Sequence, residues 1–115
     1  MSSVDVTANR VANFVGGEPF ASQSQRTLPV TNPTTGEVIA EVPMSTAAEL
    51  DAAVVRAAEA QQGWGSTPVK DRVQVLFRMK ALMEAQVDRL AATIMEENGK
   101  TRGEAVGSIL RAGSN

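Results

Sequence analysis

The chain has 115 residues, and its 11 lysines and arginines against 13 aspartates and glutamates give a formal net charge of −2. Apolar residues make up 43% of the chain and charged residues 21%, which excludes collagen-like, purely coiled-coil and strongly disordered proteins. The length is that of one domain, and a compact domain of this size buries roughly two-thirds of the surface that its unfolded chain exposes.

Three residue types that often carry chemistry are missing: the sequence has no cysteine, no histidine and no tyrosine. Without cysteine there is no disulfide framework, no thiolate nucleophile and no cysteine zinc site. Without histidine the commonest general base and the commonest metal ligand are also missing. Serine–histidine hydrolysis and zinc hydrolysis are therefore excluded for this chain acting alone.

The charge pattern and the hydropathy pattern both argue against large polyanionic or lipid partners. No run of five lysines or arginines occurs, so the sequence offers no footprint for nucleic acid. No stretch approaches the ~18 consecutive apolar residues that would span a bilayer. Residues 1–10 are polar and lack the apolar centre of a secretory signal, so they are predicted to form a disordered leader. A cytoplasmic protein without nucleic-acid or membrane partners is expected.

The first regular element predicted along the chain is a short β-hairpin. Apolar residues precede and follow the Gly16-Gly17 pair, and two glycines reach positive φ without strain, as a two-residue hairpin turn requires. The predicted arms are Val11–Val15 and Glu18–Ala21. Residues 22–26 are polar and predicted to form a loop.

A second hairpin is predicted from two β-rich arms, Thr27–Thr31 and Glu37–Val42, around the turn sequence of residues 32–36. Proline cannot donate to a β-ladder, so Pro29 is expected at a sheet edge or at a non-bonding position. Pro43 is expected to close the β region.

From Ser45 the apolar period changes to that of a helix. Thr46 and Glu49 have the spacing of a capping box, in which each side chain accepts a hydrogen bond from the other residue's backbone N–H. The helix is predicted to end near Gly63, and Trp64 is expected to anchor a helix–helix corner. One face carries the apolar residues of this helix: Leu50, Ala53, Val54, Ala57 and Ala60.

Thr67 and Pro68 mark the start of a second helix, with Thr67 as the predicted N-cap and Pro68 at the first helical position. Its apolar residues cover more than one face, so the helix is expected either to lie within a core or to require a partner. Those residues are Val69, Val73, Leu76, Phe77, Met79, Leu82 and Met83.

A third helix is predicted to end at Gly99, which suits the left-handed position after a helix. Thr101 and Glu104 form another capping box and open a fourth helix that runs toward Asn115. The apolar stripe of the third helix consists of Val87, Leu90, Ala91 and Ile94. The predicted fold class is thus an α+β segment, one structural unit with β-hairpins first and three to four helices after them.

Two glycine-containing stretches could suggest chemistry. Gly16-Gly17 lacks the spacing of either phosphate-binding glycine motif, so a hairpin turn is favoured. Lys100, beside the hydroxyl of Thr101, could be a reactive amine, but it would need an apolar pocket or a second cation. Its flank is polar, and the simpler interpretation is that Gly99 stops one helix while Thr101 caps the next.

Charged residues on the predicted helices allow further alternatives. Glu96 and Glu97 are adjacent and face different directions, so they form a solvated pair or find a buried arginine, but they cannot act as a carboxylate dyad. Four cations on the second helix form a solvated face or, less simply, a phosphate patch: Lys70, Arg72, Arg78 and Lys80. The residues therefore show no catalytic, cofactor-binding or metal-binding group.

Several stretches in order resemble the N-terminal end of an aldehyde dehydrogenase, over roughly residues 13–112. They are the FVGGE of residues 14–18, the NPTTGEVI of residues 32–39, an alanine-rich helix before Trp64, and the ENGKT of residues 97–101. Within that family the TPV of residues 67–69 with Arg72 and Phe77, and Gly107-Ser108 with Arg111, are most similar to the CoA-acylating methylmalonate-semialdehyde dehydrogenase branch.

The resemblance implies that residues 11–115 are an incomplete, N-terminal segment of the α/β aldehyde dehydrogenase fold. A complete enzyme of this kind oxidises an aldehyde through a cysteine thiohemiacetal, passes hydride to NAD and, in this branch, transfers the acyl group to CoA. The family's catalytic cysteine and its cofactor-gripping motifs have no counterpart in this sequence. The segment itself is therefore expected to bind neither NAD nor CoA and to be inactive.

Two hypotheses follow for what the chain does. In the first it is scaffold, and its apolar second helix packs on the rest of an aldehyde dehydrogenase fold. In the second it is a free-standing interaction module, without enzymatic activity, that assembles with itself or with full-length subunits through the same helix.

Overall fold

The structure, a computed structural model, describes residues 9–114 and divides them into two compact units. The first unit contains residues 9–31 and Glu37–Ser66, and the second contains Asn32–Gly36 and residues 67–114. Four strands precede four helices: β1 Asn13–Val15, β2 Glu18–Phe20, β3 Thr27–Thr31, β4 Val38–Pro43, α1 Ala47–Ser66, α2 Val69–Ala85, α3 Val87–Asn98 and α4 Arg102–Ser114. This order confirms the predicted fold class.

The predicted leader is only partly covered, because residues 1–8 lie outside the described residues. Its last two residues do not form a leader, since both contact β4. The Asn9 side-chain amide donates to the carbonyl of Ile39 at 3.2 Å, and Arg10 forms a parallel bridge with Glu41.

The first hairpin forms as predicted, with shorter arms. β1 pairs antiparallel with β2, and Val15 faces Glu18 across a two-residue turn. Gly16 and Gly17 have φ values of 65° and 84°, which explains why glycines occupy both positions. Val11, predicted within the first arm, instead donates its N–H to the carbonyl of Glu41 at 2.8 Å.

The second hairpin also forms. β3 and β4 make a two-stranded sheet, so both are edge strands, and Pro29 is tolerated there as predicted. Pro43 lies inside β4 opposite Thr27, one residue beyond the predicted end of the arm, and Glu37 lies outside β4. Within the connecting turn, the N–H of Gly36 donates to the carbonyl of Asn32 at 2.8 Å.

α1 begins at the predicted capping box. The N–H of Thr46 donates to Glu49 Oε2 at 3.1 Å, and the N–H of Glu49 donates to Thr46 Oγ1 at 3.2 Å. The prediction that this helix ends near Gly63 is wrong, because it continues to Ser66. The Ser66 hydroxyl donates to the carbonyls of Gln62 and Gly63, and the following residue precedes a proline, which disfavours a helical backbone.

The start of α2 also differs from the prediction. Pro68 is the N-cap, with φ −55° and ψ 144°, and Thr67 lies one residue before it. Because ψ is extended at Pro68, its carbonyl accepts the first helical bonds, from the N–H groups of Asp71 at 3.0 Å and Arg72 at 3.1 Å.

The C-terminal end of α3 and the start of α4 lie where the sequence predicts them. Gly99 adopts a left-handed backbone with φ 69° and donates its N–H to the carbonyl of Met95. The N–H of Thr101 donates to Glu104 Oε2 at 3.1 Å, and the N–H of Glu104 donates to Thr101 Oγ1 at 3.3 Å, which confirms the second capping box. α4 is described as far as Ser114, and Asn115 lies outside the described residues.

The apolar core belongs to the second unit and is small. Among the described residues, the buried hydrophobic side chains are Ala91, Ala105 and Ile109, at 0%, 0% and 5% exposure. Alanine on both α3 and α4 lets the two helices approach closely. Partly buried side chains surround this core: Met83, Val87, Leu90, Ile94 and Val106.

Gly99 should be hard to replace. In Gly99→Ala the new Cβ would lie 3.2 Å from both Pro33 Cγ and Thr34 Oγ1, and φ would remain in the left-handed region. We expect the free energy of unfolding to fall by about 1–2 kcal/mol. The control Gly107→Ala, in the interior of α4 with open space around its Cβ, should raise it by about 0.5–1 kcal/mol. Thermal unfolding followed by far-UV circular dichroism tests both, and an unchanged Gly99→Ala contradicts the expectation.

Candidate interaction surface

α2 carries a continuous arc of exposed apolar side chains. At 3.6 residues per turn they fall within about 140° of the helix circumference. We call this surface the α2 arc, and it consists of Val69, Val75, Leu76, Met79 and Leu82, with Leu76 61% exposed. No residue of α2 is buried. The helix thus leaves these five apolar side chains exposed, while Val73 and Met83 are half-buried.

Part of the same circumference faces the core of the unit, because Met83 falls between Met79 and Leu76 around the helix. Met83 packs against the core that α3 and α4 form, and the helix contacts both of them. Phe77, on the other side of the helix from the arc, is also 60% exposed. Contiguous exposed apolar surface is typical of interaction sites in general.

Arg72 lies within the α2 arc. It precedes Val75 and Leu76 by three and four residues, so one turn of helix separates it from both. Arg72 is half-buried, and its Nε atom is buried without a hydrogen-bond partner among the described residues. An unpaired buried donor of this kind is costly and rare in folded proteins.

The four cations of α2 do not form a phosphate patch. Their spacing distributes them around the helix, and Lys70, Arg78 and Lys80 are exposed. Lys80 Nζ lies 3.9 Å from Glu84 Oε1, one turn away. The solvated-face interpretation therefore fits three of the four, and Arg72 is the exception.

The remaining candidates show ordinary structural roles. Lys100 is exposed and donates to Ser108 Oγ at 3.1 Å. Glu96 and Glu97 are both exposed, as a solvated pair would be. The Gly16-Gly17 turn leads into β2 and not into a helix, so it lacks the strand–turn–helix context of a phosphate loop.

One polar cluster was not predicted. The Glu49 carboxylate accepts hydrogen bonds from the Ser22 hydroxyl and the Gln23 N–H, each at 2.7 Å, besides its bond from Thr46. Ser22 and Ser24 are buried, at 8% exposure each. The capping carboxylate thus also holds the loop of residues 22–26 against the start of α1, and only the polarity of that loop could have hinted at it.

These hydrogen bonds change the acidity of both capping carboxylates. The pKa of Glu49 is lowered from 4.5, first by the Ser22 hydroxyl and next by the Gln23 N–H. The pKa of Glu104 is lowered by the N–H and the hydroxyl of Thr101. A lowered pKa in the folded state means that these carboxylates stabilise the fold above pH 4.5 and lose that contribution as the pH falls through the lowered value.

The described residues offer no group of three or more histidine, cysteine, aspartate or glutamate side chains that could hold a metal ion. Across residues 9–114, no helix combines the length and apolar character needed to cross a membrane.

Comparison with known proteins confirms the resemblance expected from the sequence. The pattern of the aldehyde dehydrogenase family matches residues 20–115. Malonate-semialdehyde dehydrogenase from Halalkalibacterium halodurans is 43% identical over 105 residues, which cover 91% of this chain and 22% of that protein.

Solved structures give the same result. A structure from Sinorhizobium meliloti 1021, described as a methylmalonate-semialdehyde dehydrogenase complexed with NAD, superimposes with a TM-score of 0.87 at 32% identity, over 96% of this chain and 22% of that one. An NAD-dependent benzaldehyde dehydrogenase from Corynebacterium glutamicum gives a TM-score of 0.84 at 30% identity, over 99% and 24%. The chain spans about a fifth of the length of these relatives.

The pKa of Glu49 provides a test of the loop contact. In Ser22→Ala the largest cause of the lowered pKa is lost, so we expect the pKa of Glu49 to rise toward 4.5 in an NMR titration of its carboxyl group. Ser24→Ala is the matched control, because its hydroxyl donates to the carbonyl of Arg26 and not to Glu49. Equal pKa values in the two variants would show that the Ser22 bond does not form.

Proposed function

We propose, on the premise that the chain belongs to the aldehyde dehydrogenase family, that it is the N-terminal segment of an NAD-dependent, CoA-acylating malonate- or methylmalonate-semialdehyde dehydrogenase of the cytoplasm. The observation that carries this proposal is the 43% identity over 105 residues to the H. halodurans malonate-semialdehyde dehydrogenase. In this proposal the segment supplies packing surface. The reacting groups lie in parts of the enzyme that have no counterpart in this chain.

The chemistry of the residues supports that division. Oxidation of an aldehyde through a thiohemiacetal needs a cysteine thiolate, and the sequence contains no cysteine. NAD supplies the hydride acceptor of such an enzyme when it is bound. The Gly16-Gly17 turn leads into β2 and not into a helix, so it lacks the strand–turn–helix context in which a glycine-rich loop holds a dinucleotide.

The α2 arc is the surface through which the segment would contribute. We propose that it packs on the remainder of an aldehyde dehydrogenase fold. Complete burial of an exposed aliphatic side chain contributes roughly 1.5–3 kcal/mol, so covering the five half-exposed side chains of the arc would contribute roughly 4–8 kcal/mol. That contribution is comparable with the whole stability of a small domain.

A second candidate function rests on the same exposed surface. A free-standing interaction module would cover the α2 arc with another copy of the chain, and it would need no reacting groups. Light scattering after size-exclusion chromatography separates the two, because a scaffold segment needs no stable stoichiometry of its own, whereas a module forms a defined oligomer.

The 115-residue chain should be catalytically silent. We expect no aldehyde-dependent NADH formation, with or without CoA, because no thiolate is available, and no micromolar NAD binding in calorimetry. Turnover above a blank that survives repurification, or micromolar NAD affinity, would contradict this expectation.

The scaffold role can be tested in a hybrid enzyme. In it, the 105 matched residues of the H. halodurans enzyme are replaced by those of this chain. We expect a soluble hybrid that oxidises malonate semialdehyde with NAD and CoA. Leu76→Glu, in the α2 arc, should abolish soluble assembly because it buries an unpaired charge, whereas the control Gln74→Glu, outside the arc, should not. A fully active Leu76→Glu hybrid would contradict the packing role.

A further inference from the structure

We propose that Asn98, at the end of α3, is a site of spontaneous deamidation, and that the left-handed cap at Gly99 sets the rate of this reaction. The inference goes beyond the proposed scaffold role and does not depend on it, since it concerns a covalent change within the chain. In the folded state the cap protects the Asn98 side chain from reaction, and each opening of the cap allows it.

The reaction needs no partner except water. The backbone nitrogen of Gly99 loses its proton and attacks the side-chain carbon Cγ of Asn98. A bond forms between these two atoms, the bond from Cγ to Nδ2 breaks, and the departing amide nitrogen takes up the proton and leaves as ammonia. Water then opens the resulting cyclic imide at either carbonyl, which yields aspartate or isoaspartate without any oxidation or reduction.

The sequence is the first support. Asn98 is the single asparagine of the chain that precedes a glycine. Because glycine has no Cβ, its backbone nitrogen can approach the preceding side chain closely. Asn13 precedes the bulky Phe14, and Asn32 precedes a proline, whose nitrogen has no proton to lose. The sequence therefore favours this reaction at one position.

The geometry of the cap is the second support. Asn98 is the last residue of α3 and is exposed, so water reaches it. The N–H of Gly99 donates to the carbonyl of Met95 at 3.0 Å, and this bond holds the attacking nitrogen in its helical position. The nitrogen must leave that bond to lose its proton and reach Cγ, so the reaction requires the last turn of α3 to open.

Contacts from outside α3 keep the cap closed. The turn of residues 32–36 lies against it, since a Cβ at Gly99 would be 3.2 Å from both Pro33 Cγ and Thr34 Oγ1. The following helix, α4, packs on α3 through the small buried core. When opening and closing are faster than the chemical step, the rate of deamidation is proportional to the population of the open cap.

Peptide mapping of the 115-residue chain tests the inference. After incubation at neutral pH, trypsin releases residues 90–100 and residues 11–26 as separate peptides, and mass spectrometry gives the fraction of each in which an amide has become a carboxyl group. We expect the peptide of residues 90–100 to convert at least ~10-fold faster in concentrated urea than in buffer. The peptide of residues 11–26, which contains Asn13, is the internal control and should stay unchanged. Asn98→Gln, whose longer side chain would have to close a larger ring, should abolish the conversion in both solvents.

A pair of proline variants separates opening of the cap from unfolding of the whole chain. Pro33→Ala removes the ring that lies against the cap, so we expect deamidation of Asn98 in buffer to become several-fold faster. Pro29→Ala, in β3, is the matched control and should leave the rate unchanged. Equal rates in the two variants, or equal rates of the parent chain in buffer and in urea, would overturn the role of the cap. An unconverted Asn98 in urea would overturn the site itself.

Discussion

α2 presents more apolar surface than the helices of its own unit cover, and this imbalance governs the behaviour of the chain. The core of that unit consists of two alanines and one isoleucine, Ala91, Ala105 and Ile109. Larger side chains on the α2 arc remain exposed. Since burial of apolar surface is the main favourable term in folding, a unit that leaves its largest apolar groups outside gains little stability alone. In the proposed scaffold role, contacts from outside the segment complete this packing.

Local interactions explain most of what the sequence predicts correctly. Both capping boxes join residues three apart, the Gly16-Gly17 turn joins adjacent residues, and Gly99 stops α3 through its own backbone. Such features depend on a few neighbouring residues, so a single sequence reveals them. The errors in the predicted helix limits were also local, because they concern the boundary between α1 and α2 at Ser66 and Pro68. The hydroxyl of Ser66 bonds to the last turn of α1, which continues past Gly63.

Contacts between residues far apart in the sequence could not be predicted, because they do not depend on neighbouring residues. Ser22 and Glu49 are 27 residues apart, and the ion pair of Asp88 with Arg102, at 2.7 Å, joins residues 14 apart. Hydroxyls and charges at such positions have no periodicity that distinguishes a paired group from a solvated one. The same limit applies to Arg72, which looked like one of four solvated cations until its Nε proved to be buried. Position on the arc, and not residue type, separates it from Arg78.

In the proposed function this segment packs, and the reacting groups lie in other parts of the enzyme. Hydrogen–deuterium exchange of α2 tests that account most directly. If the arc needs an external cover, the backbone amides of α2 exchange rapidly in the 115-residue chain and become strongly protected in the hybrid enzyme. Equal, strong protection of α2 in both proteins would show that the segment shelters this helix by itself, which contradicts the account.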